Sequence, residues 1–149
     1  MAWRTNPEGL QRRTRQAFGS WLSVPRWDWY VTHTFKADYV PSKLADKQWQ
    51  SWLNTLCFHN RVMGAERPFY VRATEFQDRG TVHYHSLIGG VSPAVRRLFF
   101  KDIWEFFGFA RVEKYDPKRG AGFYVGKYIT KDDSELRFSH NITRHLTGL

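Results

Sequence analysis

The chain has 149 residues, and its aromatic fraction of 17% and charged fraction of 25% exclude a disordered tail and favour one folded domain. Its net charge of +9 predicts an anionic partner, and basic residues interspersed with aromatic ones are typical of proteins that bind single-stranded nucleic acid. Cys57 is the single cysteine, which excludes an intrachain disulfide, and no apolar run is long enough to span a bilayer, so we expect a cytoplasmic protein.

The first third of the chain predicts a basic segment, a strand and a helix. Residues 1–26 are basic, residues 11–20 within them are compatible with a short helix, and both a DNA-contacting arm and a solvated basic segment fit this composition. Residues 27–35 predict a strand, on which His33 is favoured as a core histidine over a site residue. A helix is predicted from Ser42 to about Asn60 because apolar residues recur there at helical spacing: Ala45, Trp49, Trp52, Leu53 and Leu56.

A β-hairpin is predicted in the middle of the chain. Residues 69–76 and 81–88 favour strands, and Gly80 between them suits the left-handed position of a three-residue hairpin loop. In that register Gln77 faces Thr81, and this pairing fixes the register of the two strands. Further on, a helix is predicted between Ser92 as its N-cap and a stop at residue 108, and strands over 109–115 and 136–138.

The hairpin register brings two imidazoles and a carboxylate together on one sheet face. It places Glu75 directly opposite His83, and alternation along the strand puts His85 on the same face. Such ligands suit Mn²⁺, Zn²⁺ or Mg²⁺, and three protein ligands leave positions open for a substrate oxygen. A His-x-His pair by itself is more often structural, and the carboxylate across the ladder is what favours a metal site.

Residues 121–131 predict a helix that carries Tyr124, Lys127, Tyr128 and Lys131 on one face. A tyrosine phenolate can attack a phosphodiester and form a phosphotyrosine, which conserves the energy of the linkage and permits rejoining. The ordinary pKa of a phenol is about 10, so this chemistry needs nearby positive charge from the lysines or a metal. Either tyrosine alone would be assigned to packing, but two of them beside lysines in a basic chain favour a nuclease.

These motifs together resemble those of the HUH endonucleases, specifically the rolling-circle replication initiators (Rep proteins) of small plasmids and single-stranded DNA phages. The similarity covers residues 27–133: residues 29–35 resemble the first motif, residues 75–85 the second and residues 119–131 the third. Both tyrosines follow the histidine motif, as in Rep proteins, whereas relaxases of the same superfamily carry their tyrosine before it.

The resemblance implies an α+β fold, with a central antiparallel sheet like the RRM or ferredoxin-like palm and helices packed mainly on one face. We expect a single HUH nuclease domain over residues 1–149, which includes the basic segment 1–26 and a C-terminal tail, 134–149. No helicase domain follows in this sequence, so we expect a host helicase or an extruded origin hairpin to provide the single strand. The expected partners are a single-stranded origin stem-loop and a host helicase and polymerase, and the expected oligomeric state is a monomer.

The resemblance also implies a Mn²⁺ or Mg²⁺ ion held by Glu75, His83 and His85. The implied activity is site-specific nicking and rejoining of single-stranded origin DNA, with a 5′-phosphotyrosine and a free 3′-hydroxyl that primes synthesis. The implied setting is the cytoplasm of a prokaryotic host that carries a plasmid or phage. Competing hypotheses are a single-tyrosine HUH transposase, a non-catalytic RRM-like binder of single strands, and a zinc-stabilised structural module.

The order of the two tyrosines follows from the same resemblance. Paired tyrosines resemble the phage-type initiators, in which the two alternate between cleavage and rejoining. The run that ends at Asp132 resembles plasmid relatives in which only the second tyrosine initiates. We therefore favour Tyr128 as the initiating nucleophile and Tyr124 as the second, and we expect Lys127 and Lys131 to stabilise charge, with solvated lysines as the alternative.

Overall fold

The computed structural model of the chain describes residues 7–77, 80–129 and 134–146. The strands are β1 (Trp27–His33), β2 (Phe69–Phe76), β3 (Val82–Gly89), β4 (Ala110–Lys114) and β5 (Ser134–Phe138). They form one antiparallel sheet in the order β4-β1-β3-β2-β5. The helices are α1 (Pro7–Leu22), α2 (Ser42–Val62), α3 (Arg97–Asp102), α4 (Ala121–Val125) and α5 (Thr143–Leu146). The α+β class and the central antiparallel sheet predicted from the sequence are confirmed.

The larger core lies between α2, α3 and one face of the sheet. The apolar stripe of α2 faces this core as its helical spacing predicts, and its five members are at most 3% exposed: Ala45, Trp49, Trp52, Leu53 and Leu56. Strand residues of alternating parity meet them, among them Val31 and Ile88. The Trp52 indole N–H donates to the carbonyl of Phe100 at 2.8 Å, which ties α2 to α3.

A smaller core lies on the opposite face, where the end of α1 and the short helix α4 pack. Leu22 of α1 and Val125 of α4 are fully buried there, against Val71 and Leu87 of the central strands. Helices therefore lie on both faces, with the longest of them, α2, on the first. The second face is incompletely covered, because side chains of the β2–β3 hairpin at its edge remain partly exposed.

The helix predicted after residue 91 begins later than its sequence suggests. Ser92 does not cap a helix: its Oγ accepts a hydrogen bond from the N–H of Ala94 at 3.2 Å, and its own N–H donates to Asn60 Oδ1 at 2.7 Å. These bonds hold the segment in a turn, so the helix starts at Arg97 and this part of the prediction was wrong. A buried amide from a distant helix outweighs the local N-cap preference.

A tight crossing at Gly108 gives a prediction about stability. A Cβ at this position would collide with the carbonyl oxygen of Thr34 and lie 2.8 Å from the Cα of Phe35. Because both are backbone atoms, we expect Gly108→Ala to lower the free energy of unfolding by about 2 kcal/mol. Urea unfolding measures the change, and Gly126→Ala is the matched control because a Cβ there meets no atom within 4 Å. Equal losses in the two variants would contradict this account.

His33 lies in the larger core, as the sequence predicts, and does not contribute to a site. It is fully buried, and its ring contacts Trp52 and Trp104 edge-on at centroid distances of 4.4 and 4.5 Å. Burial lowers the pKa of this imidazole to about 3, and the positive charge of Arg72 lowers it further. The folded protein therefore holds His33 neutral.

The lowered pKa of His33 predicts acid sensitivity with a definite sign. The unfolded chain binds a proton below about pH 6.5, whereas the folded chain binds it only near pH 3, so stability is complete above pH 6.5 and falls with the pH below it. Between pH 6.5 and about pH 4.5, the wild type should lose about 2 kcal/mol more unfolding free energy than His33→Leu. Parallel stability profiles of the two proteins would contradict the prediction.

Candidate active site

The β2–β3 hairpin has the register predicted from the sequence. Glu75 pairs with His83, and the N–H of Gln77 donates to the carbonyl of Thr81 at 2.9 Å. Gly80 has φ +79°, the left-handed conformation that a side chain would strain. The turn residues 78 and 79 lie outside the described residues. The predicted convergence of the hairpin side chains on one face therefore rests on observed strand pairing.

Glu75, His83 and His85 form a compact donor set at the exposed edge of the sheet. One ligand atom from each residue lies within 4.8 Å of the others, and all three side chains are partly exposed. His85 Nε2 lies 4.0 Å from Glu75 Oε1. Burial lowers the pKa of His83, against the opposing effect of Glu75, so its imidazole is held in the neutral form that binds metals. Two neutral imidazoles and a carboxylate fit a divalent cation.

Two further side chains orient this donor set, and the sequence analysis missed both contacts. The Tyr30 hydroxyl lies 3.1 Å from His85 Nδ1, on the ring side away from Glu75. Gln77 Nε2 donates to Glu75 Oε1 at 3.1 Å and lies 3.3 Å from His83 Nδ1. Outer partners of this kind fix the ring orientation and tautomer of a metal-binding histidine. Alternation along β1 could have indicated Tyr30, had the pairing of β1 with β3 been known.

The tyrosine-bearing segment is not the continuous α-helix that the sequence predicts. Helix α4 ends at Val125, whose φ of −125° and ψ of 0° leave the helical region, and a 3-10 helix spans Gly126–Tyr128. Glycine favours helices weakly, and this break changes the direction of the side chains that follow it. Of the predicted stripe, Lys131 lies outside the described residues. The predicted anchors Ala121 and Val125 are fully buried, as expected.

Tyr128 lies directly on the donor set. Its ring stacks on His85 with a centroid separation of 4.9 Å and an interplanar angle of 17°, and the residue is 2% exposed. Burial raises the pKa of its phenol above the ordinary value, and the negative charge of Glu75 raises it further. Lys127 Nζ lies 4.9 Å from the centre of the Tyr128 ring, and its side chain is exposed. The structure thus brings this tyrosine, a lysine and the donor set together.

Tyr124 lies one ring further from the donor set. Its ring packs on Tyr30 at a centroid distance of 4.8 Å and on Tyr115 at 5.2 Å. Its hydroxyl accepts a hydrogen bond from the N–H of Asp116 at 3.0 Å. Tyr30 therefore connects the two tyrosines, since it contacts Tyr124 directly and stacks at 6.4 Å on the far side of the His85 ring. The two phenols have distinct surroundings, with only Tyr128 in contact with the donor set.

A cavity of about 580 Å³ opens beside these rings. It is lined on one side by Tyr30 and Tyr124 and on the other by the cations Arg119 and Lys127. An anionic ligand entering this cavity would meet aromatic faces and positive charge next to the donor set. The arrangement is suited to a phosphate ester with flat substituents, which is the chemistry of a nucleic acid strand.

Comparison with known proteins agrees with this geometry. The family model for replication-associated proteins of the ORF2 type matches residues 28–133, most of the chain and all of the motifs described above. Searches of curated proteins and of solved structures returned no match. Among the residues that the structure describes, no helix has the length and apolar character needed to cross a membrane. The chain belongs to this replication-associated protein family, a family of rolling-circle replication initiators of the HUH type.

Proposed function

We propose that this protein nicks and rejoins single-stranded origin DNA in a metal-dependent reaction that passes through a 5′-phosphotyrosine on Tyr128. The observation that carries the proposal is the stacking of the Tyr128 ring on His85, one of the three members of the donor set. A buried phenol beside two histidines and a carboxylate is a poor surface feature and a well-placed nucleophile. Membership of the replication-associated family supports DNA as the substrate.

The donor set fits a Mn²⁺ or Mg²⁺ ion. Glu75, His83 and His85 would hold it, and Tyr30 and Gln77 would keep the ligand side chains oriented through the hydrogen bonds described above. When bound, a divalent ion polarises phosphoryl oxygens and offsets negative charge near the phenol. The raised pKa of Tyr128 is consistent with this need, because the Glu75 carboxylate disfavours a phenolate while its charge is not offset.

In the proposed reaction the Tyr128 phenol loses its proton and its oxygen forms a bond to phosphorus. The bond between phosphorus and the 3′-oxygen breaks, and that oxygen gains a proton to become a free 3′-hydroxyl. Lys127 would stabilise the charge that develops at the phosphoryl group, because its ammonium group already lies beside the Tyr128 ring. Lys131 is proposed for a similar role from its sequence spacing alone, since it lies outside the described residues.

Tyr124 is proposed as the second nucleophile, which acts in strand transfer and rejoining. Its position one ring away from Tyr128 keeps it within the same cavity. The hydrogen bond from Asp116 occupies its hydroxyl and would have to break before Tyr124 attacks a phosphate. This difference supports Tyr128 as the initiating residue. The proposed setting is a plasmid or phage replicon in a prokaryotic cytoplasm, with a host helicase and polymerase and a monomeric initiator.

Cleavage assays on a pool of single-stranded oligonucleotides with stem-loops test the proposal. With Mn²⁺ present we expect fragments that end in a 3′-hydroxyl, which a polymerase extends, and matching fragments that migrate with the denatured protein. A chelator should abolish both products. Tight binding without cleavage would contradict the enzymatic proposal and favour a non-catalytic binder of single strands.

A further inference from the structure

Helix α1 is fastened to the segment that carries the tyrosines. The two helices cross where both have glycine: a Cβ on Gly19 would lie 3.0 Å from the Cα of Gly122. Beside the crossing, Ser23 Oγ donates to the carbonyl of Gly19 at 2.7 Å and accepts from the N–H of Ala121 at 2.9 Å. The basic N-terminal segment therefore has a fixed place next to the candidate active site.

A groove of about 530 Å³ runs between α1 and α4. Arg12 and Arg15 of α1 line one side, and Arg119 and Lys127 line the other. All four side chains are exposed, and among the described residues that line the groove there is no carboxylate. Arg119 alone of the four has an ion-pair partner within the described residues, Asp116 at 3.6 Å. The groove thus concentrates positive charge that the rest of the described fold does not neutralise.

The groove continues into the candidate active site. Arg119 and Lys127 line both this groove and the cavity beside Tyr124. At the junction Phe123 is 62% exposed, and the Arg119 guanidinium lies 4.6 Å from the centre of its ring. An exposed aromatic ring covered by an arginine is a surface on which an unpaired base can stack. Positive charge for phosphates and an aromatic surface for a base therefore occur side by side.

We propose that this groove binds the phosphodiester backbone of the DNA strand adjoining the cleavage site, with a nucleobase stacked at Phe123. The inference rests on the proposed function for the identity of the strand, and it assigns Arg12 and Arg15 as binding residues. A single strand fits better than a duplex, because the aromatic surface is useful only to a base that is free of its partner. Helix α1 is thus part of the binding surface in addition to supporting α4.

The test measures binding in the absence of catalysis. The Kd of a labelled single-stranded oligonucleotide is measured by fluorescence anisotropy over a range of NaCl concentrations, with a chelator present. For the double variant R12Q/R15Q we expect about tenfold weaker binding, and a slope of log K against log salt that is shallower by about 1.4, from two lost phosphate contacts. Phe123→Ala should weaken binding by about tenfold with little change in the slope.

The matched control is the double variant K43Q/K47Q, which removes two exposed cations from α2 on the opposite face of the sheet. Circular dichroism confirms that each variant folds. The proposal is overturned if R12Q/R15Q has the same slope as the wild type, if the control loses as much affinity, or if the wild type does not bind single strands. Its failure is distinct from that of the proposed function: salt-dependent binding through Arg12 and Arg15 without an adduct in Mn²⁺ refutes only the chemistry, whereas an adduct with unchanged binding refutes only the groove.

Discussion

Tyr128→Phe is expected to reduce the covalent DNA adduct at least about 1,000-fold while it leaves the fold unchanged. The substitution removes one oxygen and keeps the ring that stacks on His85 and fills the smaller core. Loss of a nucleophile that no neighbour replaces is among the largest single effects in catalysis. Adduct yield on a denaturing gel, at fixed time and Mn²⁺ concentration, measures the change.

Tyr124→Phe is the matched control because it removes the same atom four residues away. We expect its initial adduct to remain within about fivefold of the wild type, since its hydroxyl faces the N–H of Asp116 and not the donor set. Transfer of the captured strand to a second cleaved end should fall instead. If Tyr124→Phe loses the adduct and Tyr128→Phe keeps it, the proposed order of the two tyrosines is reversed.

His83→Ala should weaken Mn²⁺ binding at least about tenfold and reduce cleavage by about 1,000-fold. It removes one of the three members of the donor set and the ring beside Gln77, so the remaining carboxylate loses part of its support. Isothermal titration calorimetry measures the metal affinity, and a cleavage assay on the same samples measures activity.

An exposed histidine provides the comparison for His83→Ala. His140 lies outside the donor set, so His140→Ala should bind Mn²⁺ and cleave DNA like the wild type. Thermal unfolding without metal should be similar for both variants, because His83 is partly exposed and its loss opens no core cavity. Cleavage by His83→Ala at the wild-type rate would refute the metal assignment.

The hairpin that carries the donor set was predictable because its signals are local. Gly80 fixes the turn, strand alternation fixes the faces, and the observed pairing of Glu75 with His83 follows from counting between them. The edge strand β5 and the long helix α2 were predictable for the same reason, since short-range patterns dominate in each.

Non-local contacts account for what the sequence did not predict. The late start of α3 depends on Asn60, which lies 32 residues before its partner Ser92. Tyr30 reaches His85 only because β1 pairs with β3, and no local pattern indicates this neighbour. The groove likewise depends on a crossing between glycines in α1 and α4, whose positions are distant in the sequence.

Peptide mapping of the covalent product by mass spectrometry tests the central claim most directly. The protein is incubated with Mn²⁺ and the oligonucleotide pool, the DNA is trimmed with nuclease, and the modified peptide is sequenced. We predict a nucleotide attached through its 5′-phosphate to Tyr128, and no adduct when a chelator is present. An adduct on a residue other than the two tyrosines, or one that forms equally well with chelator, would contradict the account.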